Sequence, residues 1–221
     1  MPQSEDFPYA ISHLLAGRGV HVSSRIDSEI RRAVEFGDRI EGLVVAKKQC
    51  PTGDRNTPLM AYWSLAFELQ RGILCLVDHK FAGAAFALVR PLVEAAVRAH
   101  VVTMGSEKDL QKLHKDEYRT NFSTIGKDID TAFGMDGLFQ NFLDGAKEAL
   151  HGYTHAGLHQ LGRRFSGTDL VPNYSEAEIL EVIRTSTSAV FVVNNLVTKH
   201  LGFEEEWKEN TPLFDEWGKH D

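Results

Sequence analysis

Two stretches of this chain are too apolar to present a broad face to water. LMAYWSLAFELQRGILCLVDH (59–79) and FAGAAFALVRPLVEAAVRAHVV (81–102) place aliphatic and aromatic residues at nearly every position of a helical repeat. Helices of that kind must be enclosed by others, which dictates a bundle with these two at its centre. Each carries only a narrow polar stripe. In the second, Arg90, Glu94 and Arg98 recur every four residues and share one face, with nothing else polar between Phe81 and His100. In the first, Ser64, Glu68, Arg71 and Asp78 form a similar stripe. Charged groups in such places must be paired. The two stripes therefore either face each other across the central pair or stand as separate wet edges.

The rest of the chain is also helical in its spacing. A helix is expected from about Ser24 to Lys48, with Ser24 as N-cap. After a loop at Cys50–Asp54, Thr57 is expected to cap the first central helix, with Pro58 in its first turn. Pro91 lies inside the second central helix and should bend or split it. Ser106 begins an amphipathic helix carrying Leu110, Leu113, Tyr118, Phe122, Ile125 and Ile129. Another begins near Asp136 and leads into LHGYTHAGLHQLGRRF, and a loop follows at Ser166–Asp169. Ser175 caps the last long helix and Gly202 ends it. The expected architecture is a single all-α bundle of about six or seven helices, spanning residues 1–202, with an acidic aromatic tail at 203–221. Trp207, Phe214 and Trp217 in that tail either dock on the body or form a partner-binding peptide.

Charge restricts the partners. The net charge is −7, and from Phe203 onward seven acids stand against two bases, so the body is near neutral. Duplex DNA and anionic membranes gain no electrostatic support from this balance. Local basic patches remain around Arg163 and Arg164, and around Arg25, Arg31 and Arg32. Two cysteines, Cys50 and Cys75, support no disulfide framework and favour a reducing compartment. The opening MPQSEDFPYA lacks the pattern of a secretion leader, and the apolar runs are too short to span a bilayer. A cytoplasmic location without membrane attachment is expected.

Two groups of residues carry candidate chemistry. In Arg90-Glu94-Arg98, two guanidiniums held by one carboxylate make a site for a phosphate or carboxylate ligand. The same spacing also makes a structural ladder. In Glu148-x-x-His151-x-x-x-His155-x-x-x-His159, a continuous helix would put Glu148 and the histidines on one face with metal-ligand spacing. Glu148, His151 and His155, completed by Glu68 or Glu94, would then hold a divalent ion. Gly152 and Gly157 weaken that helix, and histidines turned inward to hydrogen-bond are the alternative. The identity of any cofactor is left open.

The segments RPLVE (90–94) and LHGYTH (150–155) resemble those of uncharacterised bacterial all-helical proteins, which look distantly like the HEPN superfamily and abortive-infection proteins. The resemblance spans roughly residues 58–165. It implies a defence or stress module, dimeric, that binds or cleaves RNA or another phosphate-bearing ligand without a metal. The implied site is Arg90, Glu94, Arg98 and His155, with arginine stabilising phosphate charge and histidine moving the proton. HEPN ribonucleases carry their arginine a few residues before a histidine. Here Arg71 and His79 have seven residues between them and Arg98 and His100 have one, so Arg90 and His155 would have to meet from different helices. A metal-binding bundle and a non-catalytic oligomeric scaffold, with helices brought close by Gly83-Ala84-Ala85, stand as alternatives.

Overall fold

The structure is a computed structural model that describes residues 23–47, 49–119, 122–133, 137, 140, 161–166, 169–170 and 172–219. Among these it contains seven helices: α1 (Ser24–Val45), α2 (Asn56–Asp78), α3 (Ala82–Met104), α4 (Glu107–His114), α5 (Phe122–Phe133), α6 (Glu176–His200) and α7 (Glu204–Gly218). A two-residue antiparallel ladder, β1 (Phe165–Ser166) with β2 (Asp169–Leu170), closes the loop expected there. The fold is an all-α bundle. No helix among the described residues is long and apolar enough to cross a membrane.

The helix ends follow local chemistry. Ser23, one residue earlier than expected, caps α1 by accepting from the Ile26 amide at 3.3 Å. At α2 the expected threonine cap does not form. The helix begins at Asn56, and the Thr57 hydroxyl instead lies 3.5 Å from the Gly53 amide. Ser175 and Glu178 form a reciprocal capping box at the start of α6.

Three helices close with one device, a left-handed residue followed by an amide that reaches back to the last full turn. Lys80 (φ 66°) ends α2, Asp116 (φ 54°) ends α4 and Gly202 (φ 70°) ends α6. The Phe81, Glu117 and Phe203 amides donate to the Leu76, Lys112 and Thr198 carbonyls at 2.7, 2.8 and 2.8 Å. Asp116 thus divides the expected helix after Ser106 into α4 and α5. Pro91 does not divide α3, which runs from Ala82 to Met104 through it. The proline removes only the donor that the Ala87 carbonyl would otherwise use.

α2 and α3 pack extensively on each other, and α6 lies against both as well as against α1 and α7. α6 is buried without interruption from Ala189 to Thr198. Because that run contains Asn194, Asn195 and Thr198, its polar groups need partners inside the protein. The Trp63 indole donates to Asn194 Oδ1 at 2.8 Å, and Asn194 Nδ2 donates to Asn210 Oδ1 at 3.0 Å. Asn210 Nδ2 returns to Asn195 Oδ1 at 3.3 Å and to Thr198 Oγ1 at 3.1 Å. The acidic aromatic segment is therefore a helix, α7, fixed by a buried asparagine. Its Phe214 ring stacks on Phe191 at 4.0 Å between centroids, and Trp217 stacks on Phe36 at 5.7 Å.

Candidate functional site

On α3 the predicted stripe separates into two contacts. Arg90 Nε donates to Glu94 Oε1 at 2.8 Å, with both side chains partly buried. Arg98 turns away to Asp116 Oδ1 at 3.4 Å and to the Tyr62 hydroxyl. Burial works against the Arg98 charge, yet these two partners hold its pKa above the ordinary arginine value. Glu94 thus pairs with Arg90 and not with Arg98.

The stripe on α2 does not meet the α3 stripe. Arg71 turns toward α1, where it pairs with Asp38 at 3.1 Å and with Glu41, while Glu68 is exposed. Glu148, His151 and His155 lie outside the described residues, so the proposed metal set and the Arg90–His155 meeting are not placed. No His, Cys, Asp or Glu cluster among the described residues has the geometry to hold a metal ion. One buried histidine is placed. His100 on α3 sets Nε2 4.0 Å from Asp128 Oδ2, Nδ1 has no hydrogen-bond partner among the described residues, and burial lowers its pKa.

A second constellation lies between α1, α6 and α7. Arg25, Arg32 and Arg39 are spaced by seven residues, so they follow one side of α1. Arg184 of α6 joins them, and the four arginines line a cavity of about 420 Å³ together with Glu29, Glu35, Glu216, Phe36 and Trp217. Glu29 is only 5% exposed. It accepts from Arg32 Nη1 at 2.7 Å and from Arg184 Nε at 3.2 Å, so one buried carboxylate fixes two guanidiniums at the cavity wall. Arg32 also donates to the Trp217 carbonyl, in the last turn of α7, where helix carbonyls lack intrahelical donors.

Nearer the rim, Arg39 pairs with Glu216 at 3.1 Å and Arg25 with Glu176 at 3.8 Å. Those are exposed pairs that contribute little. The Trp217 indole Nε1 is buried and has no hydrogen-bond partner among the described residues. Of the basic patch expected from sequence around Arg25, Arg31 and Arg32, the structure places Arg25 and Arg32 here and leaves Arg31 outside. Arg39, Arg184 and Glu29 are additions that the sequence reading does not contain. The seven-residue spacing of arginines is the signal that could have found the row.

Fold and site together define an all-helical bundle with an arginine-lined cavity at one side. Residues 63–211 match DUF6988, a family of unknown function, and the chain belongs to that family. No curated protein and no solved structure matches the chain. The family match contains Arg90, Glu94, Arg98 and Arg184, whereas α1 and the last turn of α7 lie beyond it.

Proposed function

We propose that this protein is a binding module for a small phosphate-bearing ligand, held in the cavity between α1, α6 and α7. The observation that carries this reading is the pair Arg32 and Arg184, fixed by the single buried carboxylate of Glu29 beside Arg25 and Arg39. Oriented guanidiniums match phosphate oxygens two at a time, and their preorganisation lowers the entropy lost on binding. The cavity volume falls within the range of small-molecule sites. Phe36, on α1, adds an apolar wall for the body of the ligand. The acidic net charge favours a compact anion over a long nucleic acid.

Thermal unfolding with AMP, inorganic phosphate or a short single-stranded RNA, against chloride at equal ionic strength, tests this. A ligand at a hundred times its Kd stabilises by about 2.7 kcal/mol. A rise in Tm is expected for wild type and not for the Arg25→Gln/Arg39→Gln double variant, whose changes are on exposed side chains. No rise in wild type, or an equal rise in both, would overturn the proposal.

A second reading keeps RNA at Arg90, as the HEPN resemblance implies, with Glu94, Arg98 and His155. The partly buried Arg90–Glu94 pair on a central helix favours it. It requires metal-independent cleavage or binding of RNA that Arg90→Ala removes without unfolding the protein.

A further inference from the structure

We infer that the last turn of α7 gates the arginine cavity, with Glu216 acting as an internal competitor for the phosphate. The gate presupposes the phosphate site proposed above and adds how that site is controlled. Arg32 and Arg39 lie seven residues apart on α1, about 10 Å along the helix axis. They nevertheless converge on two adjacent residues of α7. Arg32 donates to the Trp217 carbonyl and Arg39 to the Glu216 carboxylate. Both acceptors are oxygens, and both take donors that a phosphate would use. The carboxylate also places a negative charge at the mouth of a site meant for an anion.

The rest of α7 is held independently of these contacts. Asn210 is fully buried and bonded to Asn194, Asn195 and Thr198. Phe214 is stacked on Phe191. The helix therefore stays attached when its end lets go, and only the turn beyond Phe214 needs to move. What holds that turn is the Trp217 ring against Phe36 and Phe214, the Arg32 contact and an exposed ion pair. Against these stands the buried Trp217 Nε1, a donor that no described residue satisfies in the closed position. An unsatisfied buried donor costs free energy that water or a ligand oxygen would recover. That unsatisfied donor offsets part of what the ring packing and the arginine contacts contribute to the closed turn.

The test is AMP titration by calorimetry on the full chain, comparing wild type, Glu216→Gln and Glu209→Gln. Glu209 is exposed on the same helix and does not line the cavity, so its variant reports the change in net charge alone. Expected is binding about two- to five-fold tighter in Glu216→Gln than in wild type, the scale of an exposed ion pair, with Glu209→Gln unchanged. Hydrogen exchange read on the peptide covering 215–219 should accelerate when AMP binds wild type. If AMP binds wild type but Glu216→Gln binds no tighter than Glu209→Gln, the gate is overturned and the phosphate site stands. If none of the three proteins binds AMP, phosphate or RNA, the site fails and the gate with it.

Discussion

Asn194 and Asn210 meet by their side-chain amides at 3.0 Å, and neither residue has solvent access. With the bonds from Asn210 to Asn195 and Thr198, this contact ties α7 to the most buried stretch of α6. Asn210→Ala would leave the Asn194 Nδ2 and Asn195 Oδ1 groups buried without this partner, each costing roughly 1–3 kcal/mol. The variant should melt well below wild type and lose protection in α7 first. Urea unfolding followed by tryptophan fluorescence, with hydrogen exchange read on the α7 peptides, checks this, and an unchanged midpoint would count against it.

What the sequence disclosed was local, and what it concealed was tertiary. The Ser175 cap and the stop at Gly202 are set by neighbours within a few residues, and both stand where sequence placed them. The two apolar segments pack together because burial follows composition. Asp116 escaped because a left-handed aspartate has no sequence mark comparable to glycine. The arginine cavity escaped for a different reason. Its central contact joins Glu29 to Arg184, 155 residues away, and periodicity along α1 shows a row of arginines without showing what they face. The same limit applied to Arg71, whose acids lie on α1 and not on α3.

Left-handed helix ends make a paired prediction. Lys80 carries a positive φ that glycine adopts freely, and its side chain is exposed. Lys80→Gly should therefore stabilise by roughly 1 kcal/mol. Gly202 has the same backbone, and a methyl group there would meet open space beyond its own chain neighbours among the described residues. Gly202→Ala should destabilise by roughly 1 kcal/mol through the backbone alone. Chemical denaturation of the two variants should show midpoints shifted in opposite directions.

Stability should fall on mild acidification. Burial lowers the pKa of His100 below its ordinary 6.5 despite the facing Asp128, and burial followed by the Arg55 charge lowers that of His200. The unfolded chain then binds protons more readily than the folded one. The stabilisation is present above the ordinary histidine value and is lost as pH falls through the folded values. Tm should drop as pH falls below about 6.5, the unperturbed histidine value, toward the lower folded values. His100→Leu should flatten that slope, since it removes one of the two groups. Parallel slopes in wild type and variant would show that His100 does not contribute.

The Glu29 carboxylate makes the sharpest test of the cavity's chemistry. Its removal by Glu29→Ala takes from Arg32 and Arg184 the acid they share, inside a wall that is only partly open to solvent. Breaking a buried pair costs roughly 3–5 kcal/mol, and the lower end applies because Arg184 is more than one-third exposed. The vacated volume borders two guanidiniums, so an oxyanion should replace the lost carboxylate. Millimolar phosphate is expected to raise the Tm of Glu29→Ala by more than it raises that of wild type, while chloride at the same ionic strength does not. A variant destabilised to the same extent in phosphate and chloride would mean that Glu29 serves packing alone and that its arginines do not select phosphate.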